Sequence, residues 1–116
     1  MGLFDFLKKP KLTEEQRQAK EFLSMLDTST ATFSGGDGMS PETAVVVKGV
    51  SMLSGPMAEL NYLGKKYGKV NVDWVVESQG TRTNAQGKPL DVVRLKFKDG
   101  RKILFHFEIS AFFEES

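Results

Sequence analysis

The sequence predicts an α+β domain of two layers, a four-stranded mixed sheet in the order β-α-β-β-β with one helix packed on a face. Three observations lead there. First, residues 91–110 alternate apolar and polar on both sides of an Asp-Gly turn, with Val93, Leu95 and Phe97 before it and Ile103, Phe105, Phe107 and Ile109 after it. That is the pattern of a β-hairpin with one buried face. Second, residues 44–50 form a nearly continuous apolar, β-branched run, which suits a strand inside a sheet. Third, residues 55–68 have a helical stripe bracketed by Pro56 at the start and Gly68 at the end.

Taken in order, the chain opens on an apolar tip, residues 1–12, in which Leu3, Phe4, Phe6 and Leu7 precede Lys8, Lys9 and Pro10. The charges follow the apolar patch, the wrong order for a signal peptide. Phe6 stands where N-myristoylation needs Ser or Thr, and a helical turn or two is too short to hold a membrane alone. Such a tip calls for a surface to cover it, on its own domain or on a partner. Residues 13–27 then read as an amphipathic helix. Thr13 and Gln16 have the spacing of a capping box, and Ala19, Phe22, Leu23 and Leu26 fall on one side. Residues 28–40 show no period and are rich in Thr, Ser and Gly, which reads as a flexible linker.

The compact α+β domain is expected over residues 41–116. Ser40 and Pro41 begin a single helical turn that leads into the 44–50 strand. The helix that follows presents Met57, Leu60, Leu63, Gly64 and Tyr67 along one stripe, with Lys65 and Lys66 complementing its C-terminal dipole. A glycine on that stripe implies close approach of helix to sheet at Gly64. Val70, Val72, Trp74 and Val76 then alternate with polar residues as a strand, and residues 80–89 read as a loop into the hairpin. A three-residue turn, Lys98, Asp99 and Gly100, is the reading that puts both hairpin rows on one face, with Gly100 left-handed. Phe112 and Phe113 suggest a short C-terminal helical turn folded back on the core.

Composition narrows the function. One domain of 116 residues buries enough surface, roughly 65% of that exposed when unfolded, to hold a core without staples. The absence of cysteine excludes disulfides, thiolate metal sites and cysteine nucleophiles. A net charge of +1 does not support a nucleic-acid footprint. Arg94, Lys96, Lys98 and Lys102 lie on the polar hairpin face, but the aromatic residues that would stack on bases lie on the other, and Asp73 and Glu77 are placed to neutralise the patch. His106, the single histidine, is expected on that polar face as an ordinary surface residue. The glycines at 35, 36 and 38 lack both the Lys-Ser/Thr pair of a phosphate loop and the spaced oxygens of a calcium loop.

The segments G-D-G-M-S-P-E-T-A-V-V-V at 36–47, Y-L at 62–63, D-V-V-R-L-K-F-K-D-G at 91–100 and F-E-I-S-A-F-F at 107–113 resemble small bacterial α+β domains of unknown function. The resemblance covers roughly residues 36–113 and implies a bacterial origin and an α+β fold. It brings no catalytic, metal-binding or cofactor-binding residues. The expectation is therefore a soluble cytoplasmic, non-enzymatic protein-interaction module without a cofactor or a transmembrane segment. Its partner is a protein or a second copy of the chain, met through Leu3, Phe4, Phe6 and Leu7, and contact with a membrane surface would be weak. The alternative is a small-ligand-binding domain, with a pocket between sheet and helix at Tyr62, Tyr67 and Trp74. If the basic face is merely solvated, nucleic-acid binding in a filter assay is absent at physiological salt. Salt-sensitive binding that weakens further in Arg94→Glu or Lys96→Glu would overturn that reading.

Overall fold

A left-handed glycine sets the register on which the sheet is built. In the computed structural model, which describes residues 13–25 and 27–113, Gly100 has φ +92°. The turn it completes is closed by a 2.8 Å bond from the Phe97 N–H to the Arg101 carbonyl. Three residues, Lys98, Asp99 and Gly100, thus make the loop, as expected. Leu95 stands opposite Ile103, Val93 opposite Phe105 and Asp91 opposite Phe107. The two apolar rows share a face, and Leu95, Val93, Phe105 and Phe107 are all essentially inaccessible.

The elements are α1 (Glu14–Met25), β1 (Thr32–Gly35), β2 (Val45–Lys48), α2 (Gly55–Tyr67), β3 (Trp74–Thr83), β4 (Pro89–Phe97) and β5 (Lys102–Glu108), with a 3₁₀ turn over Pro41–Thr43. The fold is α+β. Its sheet is mixed, with five strands in the order β1-β2-β5-β4-β3, one more than the four expected. β2 runs parallel to β5, while the other neighbouring pairs are antiparallel. The core gathers Val45 and Val47 of β2, Leu63 of α2, Trp74 of β3 and the hairpin rows, with Phe112 and Phe113 packed against it. Burying each such side chain contributes about 1.5–3 kcal/mol. Within the core, the Tyr62 ring meets Phe107 edge-on at 5.8 Å between centroids, and Tyr67 meets Phe97 edge-on at 5.3 Å.

Local sequence signals hold in several places. Gln16 N–H donates to Thr13 Oγ1 at 3.1 Å and Thr13 N–H to Gln16 Oε1 at 3.0 Å, a complete capping box. Ser40 and Thr43 cap the 3₁₀ turn reciprocally. Gly68 ends α2 with φ +105° and an N–H donated to the Gly64 carbonyl. Phe112 and Phe113 sit in a turn whose N–H groups both return to the Ile109 carbonyl.

Elsewhere the tertiary structure overrides the pattern. The segment read as a flexible linker contains β1, an edge strand paired with β2 from Thr32 opposite Lys48 to Gly35 opposite Val45. Four residues with a single apolar side chain, Phe33, carry too little periodicity to announce a strand. Val70 makes only an isolated bridge to Trp74 and Val72 lies in a turn, and both remain exposed. The residues 80–83 read as loop extend β3, which carries a bulge between Val76 and Ser78. That extra residue reverses the inside-outside parity midway, so alternation fails as a guide beyond it.

α2 is also turned relative to expectation. Its buried residues are Gly55, Ala58, Glu59 and Leu63, whereas Met57 and Leu60 are 47% and 38% exposed. The start of the helix decides this. A Cβ on Gly55 would lie 2.6 Å from the Phe112 ring, so the first turn sits hard against the C-terminal segment and sets the helix rotation. Gly64, expected at the point of closest approach, has no atom within 4 Å of where a Cβ would be.

His106 is not a surface residue. It is 7% exposed, and its Nδ1–H donates to the Gly38 carbonyl at 2.8 Å while its backbone N–H donates to the same oxygen at 2.7 Å. Gly38 is left-handed, with φ +79°, and a Cβ there would fall inside the Phe105 ring. The 36–44 connection is thereby pinned along β5. No described helix is long and apolar enough to cross a membrane. Gly38→Ala should cost about 2–4 kcal/mol from backbone strain and overpacking combined, read by urea denaturation. Gly87→Ala, equally left-handed but facing open space, should cost clearly less.

Candidate interaction groove and buried carboxyl pair

Because α2 keeps Met57 and Leu60 outside, an apolar groove runs along its outer side. The groove holds about 740 Å³ and is lined by Phe33, Met57, Leu60, Tyr62 and Val70, with Thr28, Ser29 and Ala31 at one end. Asn61 Nδ2 donates to Thr28 Oγ1 at 3.3 Å, which ties the segment leaving α1 to the rim. Among the described side chains of α1, none lines the groove. All of them are exposed, Leu23 at 64%. Met52, Leu53 and Val72 add exposed apolar surface on the loops flanking α2.

The three residues assigned to a sheet-helix pocket do not converge on one. Trp74 is 1% exposed, and its indole N–H is taken by the Gly68 carbonyl at 2.7 Å. Tyr62 lines the α2 groove, whereas Tyr67 lines a separate cleft of about 350 Å³ with Phe97 and Arg101. Burial pushes the Tyr67 hydroxyl up. Leu3, Phe4, Phe6 and Leu7 lie outside the described residues.

On the polar face, acidic residues reach the lysines as anticipated. Lys98 Nζ is 3.4 Å from Asp73 Oδ1, and Lys102 Nζ is 3.0 Å from Glu77 Oε1. The Lys69 N–H, then Lys98, hold Asp73 below the usual carboxylate range. The Lys102 ammonium does the same for Glu77.

The chemically unusual group is Glu59. It is 1% exposed, and neither carboxyl oxygen meets a protein donor. Its neighbour is Asp91 of β4, 9% exposed, whose Oδ1 accepts from Thr81 Oγ1 at 3.2 Å. Burial first, then a shared hydrogen bond with Asp91 and repulsion from it, push Glu59 up to about 10. The lack of a donor and the hydrogen bond to Asp91 are compatible, because a carboxyl becomes a donor only on taking a proton. Burial beside Asp91 therefore keeps the proton on Glu59. None of the ion pairs among the described residues involves either group.

Asp91 had a signal in the sequence, since it shares parity with Val93 and Leu95 and so faces inward. Glu59 had none, because helical periodicity put Met57 and Leu60 inside and left Glu59 toward solvent. Among the described residues no set of three or more His, Cys, Asp or Glu is arranged to hold a metal. Comparison of the chain with protein-family models, curated proteins and solved structures finds no match.

Folded Glu59 keeps its proton up to about 10, whereas the unfolded carboxyl releases it near 4.5. Between those values unfolding releases a proton, so stability falls as pH rises, by up to about 1.4 kcal/mol per pH unit. Glu59→Gln should flatten that slope and raise stability at neutral pH, as read by denaturant unfolding at several pH values. An unchanged slope would refute the assignment.

Proposed function

We propose that the chain is a non-enzymatic protein-interaction module that pairs with a second copy of itself, each α1 lying in the α2 groove of the other. The observation that carries this is that one chain exposes both an apolar groove at Met57, Leu60 and Val70 and an apolar side chain on α1, Leu23. An amphipathic helix laid in an apolar groove is a recurrent recognition mode. The segment after α1 already forms the groove's rim through Thr28, Ser29 and Ala31, so a partner's helix would arrive beside the tether. Reciprocal exchange gives a closed twofold dimer in which both apolar surfaces are covered at once. The tip at Leu3, Phe4, Phe6 and Leu7 would extend the same contact.

Sedimentation of the full chain from about 1 μM to 1 mM tests the reading. A dimer is expected that dissociates in Leu60→Asp and in Leu23→Asp, both exposed positions whose substitution leaves the core intact. A chain that stays monomeric throughout would sink the self-association, and one that dimerises equally well with both substitutions would place the contact elsewhere.

A further inference from the structure

The carboxyl pair lies beside a second opening. A cleft of about 280 Å³ enters near the start of α2, with Pro56, Ile109 and Phe112 among its walls and Gln79, Thr81 and Asp91 supplying its polar groups. Asp91 is thus reached from both directions, by Glu59 from within the core and by solvent through the cleft. We propose that this cleft binds the primary ammonium group of a small alkylamine, with Asp91 as its counter-ion and the alkyl stem against Pro56, Ile109 and Phe112.

The chemistry follows from what the pair lacks. Asp91 presents a carboxyl group that is 9% exposed at the cleft, and no described cation pairs with it. Burying an uncompensated charge is costly, and the Thr81 hydroxyl supplies one 3.2 Å hydrogen bond against it. A bound cation would complete the site. A divalent metal is a poor fit, because two carboxyls and no third acidic or histidine ligand fall short of its usual oxygen shell. An anion is repelled. An ammonium carries three donors on a compact head, matching the Asp91 oxygens, the Thr81 hydroxyl and the Gln79 amide oxygen. The cleft volume is at the small end of ligand sites, which suits a few-carbon stem rather than a large ligand. Glu59, buried in the core behind Asp91, acts as a positioning residue that holds the carboxyl group toward the opening.

The test is a titration of the ¹⁵N-labelled full chain, followed by amide NMR, with n-butylammonium chloride. Uncharged n-butanol and sodium chloride at equal concentration serve as controls. Saturable shifts at Thr81, Asp91, Ile109 and Phe112 are expected with n-butylammonium alone, and affinity should drop about tenfold or more in the isosteric Asp91→Asn. Equal binding of n-butanol would show an apolar cleft without charge recognition and overturn the proposal. So would the absence of saturable shifts, or a folded Asp91→Asn that binds as the parent does. The comparison of n-butylammonium with n-butanol uses the unaltered chain, so it decides the matter even if Asp91→Asn does not fold.

Discussion

Everything in this molecule hangs on the register of the β4–β5 hairpin. With Gly100 in the left-handed region the loop takes three residues, and Val93, Leu95, Phe105 and Phe107 fall on one face. A slip of one residue would send one row to solvent. The consequences spread outward from that face. Phe105 takes the place a side chain at Gly38 would need, which draws the 36–44 connection against β5. Phe107 stands beside Val45 and sets the parallel pairing of β2. Tyr62 and Tyr67 then close over the same rings from α2.

The second constraint is the seating of α2. Its first turn is jammed against Phe112 at Gly55, and its end is tied by the Gly68 carbonyl to the Trp74 indole. Between these fixed points the helix has one rotation available. That rotation carries Glu59 into the core and leaves Met57 and Leu60 outside. One geometric decision thus produces both unusual features, an apolar groove on the surface and a buried carboxyl pair inside. Neither follows from residue polarity, since the helix leaves Met57 and Leu60 partly in water and buries a glutamate. Local rules are most often broken where a surface or a site has a task.

The readable parts of the fold were those whose cause lies within a few residues. The Thr13 and Gln16 box, the Ser40 and Thr43 turn, the Gly68 stop and the Gly100 turn each depend on neighbours in sequence, and each stands in the structure as the residues implied. The unreadable parts have remote causes. β1 exists because β2 offers it an edge, and Thr32–Gly35 alone has no strand signature. The β3 bulge is a mismatch between two strands and leaves no mark on one. His106 is buried because a carbonyl 68 residues away comes to meet it.

By itself, then, the sequence determined an α+β class, a one-sided hairpin with a defined turn, a helix bounded by Pro56 and Gly68, and the absence of thiol chemistry. These are matters of local sterics, hydrogen bonding and period, and they need no knowledge of what lies opposite. The tertiary structure alone decided the fifth strand, the rotation of α2, the burial of His106 and the meeting of Glu59 with Asp91. Those depend on which surfaces touch, and a helix stripe two positions wide of the true one scores almost as well until Phe112 fills the space beside Gly55. The candidate sites belong to this second group, because each is made by residues brought together only when α2 takes its place on the sheet.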